Sequence, residues 1–390
     1  MKIKKRHSRW FKIARPIIHN LISKKFNYTC TPCNIKPPFI VLGNHTTDYD
    51  AFFIADAFQD PIHFVMSDHI TTLPVVGKLI PFLVGTIPIT KSSRDTQSLR
   101  SVISVIHQGG AVGIFPEGNK SFSGDVSYIK PTIAKVLKKL NVPLILFTIE
   151  GGYFSSPRWT KNKRLGRVYG HAAKILSAEE IKQLSTEQLY NIIKETLHIN
   201  AYEVQKQNPS TYVGPNLAEN METFLYVCPE CKSISTLHGD GNTITCSHCS
   251  FKATYNEYGY LDYAPMPQLD QLDRMQKEYL LHLPWDTYPK DKIITQDSGW
   301  VIARKITKYK SKKLGTFTLQ LTTQTLTFTN KKQTTIIPLQ DIVGYAIEGV
   351  NGIQLWLRDG TVYRMKNKGA VSGLKYVNMI SAITKTPMKF

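Results

Sequence analysis

FIVLGNHTTDYD, residues 39–50, runs from four consecutive apolar residues through Gly43 into His45, Asp48 and Asp50. A short apolar run closed by glycine and polar residues reads as a buried strand entering a turn. A histidine at such a place is most often a turn or capping residue, so the rest of the chain has to decide whether it does chemistry. The pattern recurs in HFVMS (63–67), VGTIPIT (84–90), AVGIFPEG (111–118), VPLILFTI (142–149) and GRVYGHA (166–172). Between these strands, DTQSLRSVISVIHQG (95–109) reads as a helix closed by Gly109 and Gly110, and PTIAKVLKKLN (131–141) as another opening at Pro131. Strands alternating with helices predict an α/β layer fold. SAEEIKQLSTEQLYNIIKETLHINAYEVQKQ (177–207) adds two helices, each capped by a serine, and closes a domain spanning 38–205.

A chain of 390 residues exceeds one ordinary core, so further domains are expected. YVCPECKSISTLHGDGNTITCSHCSFKATY (226–255) places Cys228, Cys231, Cys246 and Cys249 as two C-x-x-C knuckles with fourteen residues between them. That spacing suits a tetrahedral thiolate cage, which defines a small zinc ribbon over 223–256 with a structural metal and no open coordination position. A rubredoxin-like iron site and paired disulfides are the alternatives, the latter disfavoured in a reducing compartment. Cys30 and Cys33 read as two thiols in a turn. Residues 265–285 form a helical linker. Alternating patterns in GTFTLQLTTQTLTFTNKKQTTIIPL (315–339) and GIQLWLRDGTVYRMKN (352–367), then a helix over 370–384, predict a mostly β domain at 300–385. In outline it resembles a pleckstrin-homology-like (PH-like) barrel, which offers TNKKQ (329–333) and RMKNK (364–368) to lipid headgroups or a partner, or only packs against its neighbours.

Lys and Arg total 49 against 29 Asp and Glu, and this excess of +20 attracts polyanions. The first 47 residues contain no acidic side chain. Within the entry segment 1–37, Ile3, Trp10, Phe11, Ile13, Ile17, Ile18, Leu21 and Ile22 recur at roughly helical spacing among lysines and arginines. Such a helix either lies on an anionic lipid surface or packs on its own domain with a charged face to solvent. LPVVGKLIPFLVGTIPI (73–89) carries Lys78 and three prolines and reads as buried or interfacial. With no spanning stretch and no evident secretory signal, the expectation is a cytoplasmic protein attached peripherally to the inner membrane face.

Active sites of α/β sheets gather at the carboxyl ends of strands. Three polar clusters fall at such ends: NHTTDYD (44–50), GTIPITKSSRD (85–95) and FPEGNKS (115–121). Asn44-His45-x-Thr47-x-x-Asp50 resembles the N-H-x-S-x-x-D block of the glycerolipid (lysophosphatidic acid) acyltransferases, and FPEGNKS resembles their FPEGTRS block, at a similar separation. LPVVGKLIPFLVGTIPI is similar to the family's second block with its approach, VPLILFTIEGG (142–152) to its fourth, and PRWTKNKRLGRVYGHA (157–172) to the segment that follows.

The resemblance implies an α/β acyltransferase domain with a mixed sheet. It also implies transfer of a fatty acyl group from an acyl-CoA or acyl carrier protein thioester to the hydroxyl of a lysophospholipid, lysophosphatidic acid, giving phosphatidic acid. By that resemblance His45 is the general base, Asp50 orients it, Lys91 meets the acceptor phosphate, and Glu117, Gly118 and Lys120 line the acceptor side. The chemistry of the residues agrees: a hydroxyl with a pKa near 16 needs a positioned base, and imidazole titrates in the useful range. Asp48 is the rival partner for the ring. This chain has Lys at 91 and 120 where the family has Arg, which keeps the charge and loses the bidentate fork; Arg94 offers a fork nearby. Those departures leave open another lysolipid or amphiphilic alcohol as acceptor. Charge and ribbon together leave open a non-enzymatic nucleic-acid-binding protein, against which the ribbon carries few basic residues.

Overall fold

The computed structural model describes residues 2–67, 85–89, 96–126, 128–307 and 310–386. The chain divides into two compact units, 1–157 with 163–214 and 158–162 with 215–390.

In the first unit, a helix α1 (Lys5–Phe26) leads to strands β1 (Tyr28–Cys30) and β2 (Phe39–Gly43), helix α2 (Asp50–Asp56), and strands β3 (Ile62–Ser67) and β4 (Ile87–Ile89). Helix α3 (Thr96–His107), β5 (Ala111–Ile114), α4 (Thr132–Leu140), β6 (Leu144–Glu150), the short α5 (Gly152–Ser155) and β7 (Val168–Leu176) follow. Among the described residues the strands form one sheet in the order β1-β7-β6-β2-β5-β3-β4. Every pairing is parallel except β6 with β7, so the sheet is mixed.

The central strand β2 explains why FIVLG is apolar throughout: all five residues are buried, because helices cover both faces of the sheet. Its side chains alternate between two cores. Phe39 and Val41 join Phe53, Ile54 and Phe58 from the α2 region and Ile22 and Phe26 of α1. Ile40 and Leu42 join Val102, Val105 and Ile106 of α3 and Ala134 and Leu137 of α4.

Helix α6 (Ala178–Gln183) and helix α7 (Thr186–Leu197) start at capping boxes, Ser177 with Glu180 and Ser185 with Gln188. A third helix, α8 (Ala201–Gln207), lies in the stretch expected to hold two; the Asn200 carboxamide accepts the N–H groups of Tyr202 and Glu203 and starts it. Cys30, expected in a turn, instead ends β1, which pairs with β7.

The apolar residues of α1 fall on two faces. His7, Phe11, Ile22 and Phe26 point inward. Trp10, Ile13, Ile17 and Leu21 are 40%, 49%, 58% and 61% exposed, a stripe too long to be incidental. Among the described residues no helix is long and apolar enough to cross a membrane.

The second unit holds a four-stranded antiparallel sheet of β8 (Leu237–Asp240), β9 (Thr243–Cys246), β10 (Lys252–Tyr255) and β11 (Leu261–Asp262), then helix α9 (Leu269–His282). Seven antiparallel strands follow: β12 (Thr295–Lys305), β13 (Ser311–Leu321), β14 (Thr325–Thr329), β15 (Thr334–Pro338), β16 (Ile342–Glu348), β17 (Gly352–Leu357) and β18 (Val362–Asn367). Their order is β15-β14-β13-β12-β18-β17-β16, and helix α10 (Gly373–Thr384) buries Leu374, Val377, Met379 and Ile380. On α10 the buried Lys375 ammonium meets Asp297 of β12 and Ser235 of the cysteine segment, both at 2.7 Å, so one cation joins three segments of the unit. Trp159, from the 158–162 excursion, is 1% exposed and stands edge-on to Tyr255 of β10.

His7 anchors the start of α1 with its ring 5.6 Å from that of His63 on β3. Burial, with His63, Arg6 and Lys4 nearby, pushes its pKa down to about 4. Unfolded, it titrates near 6.5. Between those values the unfolded chain binds a proton that the folded chain refuses, so stability falls as pH drops through the window. Thermal melts from pH 7 to 4 should show that slope, and His7→Phe should flatten it; an unchanged slope contradicts this role.

Candidate active site

The turn after β2 is built around one carboxylate. Asp50, fully buried in the first turn of α2, accepts the N–H groups of Thr46 at 2.6 Å and Thr47 at 2.9 Å on Oδ2, and the Thr47 hydroxyl at 2.7 Å on Oδ1. The same Oδ2 lies 2.8 Å from His45 Nδ1. With an ionised carboxylate that contact requires a proton on Nδ1, which leaves Nε2 as the basic nitrogen. The ring stacks on Phe115 at 4.3 Å between centroids and is 22% exposed.

Backbone bonds tie this turn to the neighbouring strands. The buried Asn44 carboxamide donates to the Ile149 carbonyl at 3.0 Å and accepts the Ile149 N–H at 2.8 Å, locking the end of β2 to β6. Glu117, after β5, accepts the His45 N–H at 2.7 Å. Ser121 N–H donates to the His45 carbonyl. Gly152 backs the turn closely: a Cβ there would stand 2.7 Å from the Thr46 hydroxyl. Gly118 has φ +72°, a left-handed backbone that glycine adopts without strain.

Asp48, the rival for the ring, turns to Lys120, with Nζ to Oδ1 2.6 Å. The surrounding protein disfavours charge on Asp48, but the Lys120 and Lys163 ammoniums outweigh that and hold its pKa below the ordinary value. Lys91 and Arg94 lie outside the described residues. Lys163 was missed in the sequence; its signal was only its place in PRWTKNKRLGRVYGHA. It donates to Ser156 Oγ at 2.5 Å and stands 5.5 Å from the Tyr49 ring centre.

Cys30 donates to Asp56 at 3.6 Å, and burial pushes its thiol up to about 11, which leaves it a poor nucleophile. In the second unit the sulfurs of Cys228, Cys231, Cys246 and Cys249 lie within 4.8 Å of one another, with Cys228 to Cys249 at 3.7 Å and Cys231 to Cys246 at 3.8 Å. Ligands about 2.3 Å from a tetrahedral centre are about 3.8 Å apart, so the four thiols fit one metal ion.

Residues 21–150 match the acyltransferase family model. That segment of the chain is similar to the acyltransferase family. The chain is 23% identical over 167 residues to a 1-acyl-sn-glycerol-3-phosphate acyltransferase of Borreliella burgdorferi, covering 42% of this chain and 65% of that one. It is 29% identical over 153 residues to a probable 1-acyl-sn-glycerol-3-phosphate acyltransferase of Mycoplasma genitalium, covering 38% and 54%. The chain thus spans less than two thirds of the length of either relative. The solved 1-acyl-sn-glycerophosphate acyltransferase of Thermotoga maritima superposes with a TM-score of 0.44 at 19% identity, over 54% of this chain and 84% of that one.

Proposed function

We propose that the chain is a membrane-surface O-acyltransferase moving a fatty acyl group from an acyl-CoA or acyl carrier protein thioester to the free hydroxyl of lysophosphatidic acid, giving phosphatidic acid. The observation that carries this reading is the His45–Asp50 contact inside an acyltransferase-family domain. His45 Nε2 takes the hydroxyl proton as the oxygen attacks the thioester carbonyl. The tetrahedral intermediate expels the thiolate, which takes the proton back from the imidazolium. Asp50 fixes the ring and stabilises its transient charge. No acyl-enzyme is required, because the thioester is already activated.

Two features support the attachment and the metal. The α1 stripe of Trp10, Ile13, Ile17 and Leu21 is exposed beside Lys5, Arg9, Lys12 and Lys24, the composition of a helix lying in an anionic lipid interface on the inner face of the membrane. The cysteine cage fits zinc as a closed structural site that holds the loops around Cys228 and Cys246 together. Four strands, then three, closed by α10 support reading the last domain as PH-like.

The purified full chain is assayed with lysophosphatidic acid and each thioester, and products are identified by mass. Phosphatidic acid is expected, with His45→Ala lowering kcat/KM by roughly 10³-fold and Asp50→Asn by roughly 10²- to 10⁴-fold; activity retained in His45→Ala contradicts the mechanism. Ile13→Ser, Ile17→Ser and Leu21→Ser combined should abolish sedimentation with vesicles rich in phosphatidylglycerol, and retention on them rules out the stripe as the anchor. Elemental analysis should find one zinc per chain, lost in Cys246→Ser together with a lower melting temperature; a metal-free wild type with the same melting temperature refutes the zinc site.

A further inference from the structure

Three ammonium groups from distant parts of the first unit gather at the turn that carries His45, and the proposed proton transfer uses none of them. Lys25 ends α1, Lys120 follows β5, and Lys163 precedes β7. They converge on two adjacent residues of the catalytic turn. Lys120 pairs with Asp48 at 2.6 Å. Lys25 donates to the Tyr49 hydroxyl at 3.0 Å with its ammonium 4.9 Å from the ring centre, and Lys163 lies 5.5 Å from the same centre.

Like charges do not gather without cause. Lys120 and Lys25 each disfavour the charge on Lys163, which partial burial already disfavours, and of its charged neighbours Asp48 pushes the other way. Three cations gather at this spot around Asp48 and Tyr49. The Asp48 side chain is 73% exposed, so it has water to turn into when another anion takes its place. A dianion would serve the three ammoniums better than Asp48 does, since charge-assisted bonds to phosphate oxygens take several donors at once.

Resting on the proposed acyl transfer, we infer that Lys163, with Lys25 and Lys120, receives the phosphate monoester of the acceptor, and that Asp48 is a resident counter-ion which the phosphate displaces. Lys163 and Lys25 are therefore specificity-determining residues. Their lysines also account for a site that works without the arginine fork: several point charges from separate segments replace one planar donor. Because Asp48 and Tyr49 are neighbours of Asp50 in one turn, a phosphate held here carries the acceptor's hydroxyl to the side of the domain that presents His45.

The test uses the full chain and two measurements. In the first, kcat/KM is compared for lysophosphatidic acid and for monoacylglycerol, which lacks the phosphate. Lys163→Met keeps the stem and removes the charge, and should cut the preference for the phosphate-bearing acceptor by about tenfold or more through KM. Lys163→Arg should restore most of it, and Asp48→Asn, at an exposed position that leaves the core untouched, should lower KM for lysophosphatidic acid several-fold. An unmoved preference in Lys163→Met and an unmoved KM in Asp48→Asn overturn the inference. In the second, glycerol 3-phosphate binding is titrated by calorimetry without any thioester. Binding that weakens in Lys163→Met and tightens in Asp48→Asn supports the site even if no donor gives product, in which case the acyl-transfer reading fails alone. No binding to wild type, or equal binding to all three proteins, overturns the site.

Discussion

A single buried carboxylate organises the turn that follows β2. Asp50 is sealed from solvent and accepts two backbone N–H groups, a threonine hydroxyl and the His45 ring. An unpaired buried charge is costly, so the donors must come to it. Meeting that demand fixes the path of residues 44–50, and with it the tautomer and direction of the imidazole. Neither residue would hold its place in a flexible loop.

The sheet makes that arrangement rigid. β2 lies between β5 and β6, and both neighbours are bonded to the turn: Glu117, after β5, accepts the His45 N–H, and Ile149 of β6 makes two bonds with the Asn44 carboxamide. A shift of β2 along either neighbour would break those bonds, so register and site geometry are one constraint. Phe115 then covers one face of the ring, which limits the directions from which water or substrate reaches it. Outside the turn Lys120 and Lys163 stand around Asp48, so cationic groups lie near the His45 ring while the ring itself stays on a carboxylate.

Much of this was legible in the sequence. The β2 run, the histidine and both acids lie within twelve consecutive residues, and local patterns carry that information well. The serine caps at 177 and 185 marked their helices for the same reason. What stayed hidden depends on distant contacts. β1 is a three-residue strand that, among the described residues, pairs with β7 alone, more than a hundred residues later. Lys163 joins the site through folding alone, and the role of Glu117 became clear only when its carboxylate was seen on a backbone N–H. The two faces of α1 were also unreadable in advance: Phe11 and Ile13 are equally apolar, yet folding buries the first and leaves the second half exposed.

The central claim is that Asp50 holds His45 as the Nδ1–H tautomer, with Nε2 ready to take a proton. Nitrogen-15 NMR of the histidine-labelled chain at alkaline pH, assigned through His45→Gln, measures this directly. The account predicts a protonated Nδ1 and a bare Nε2 for residue 45, with the Nδ1 proton shifted far downfield and lost in Asp50→Asn. A proton on Nε2, or a rapidly exchanging mixture indifferent to Asp50→Asn, would contradict it.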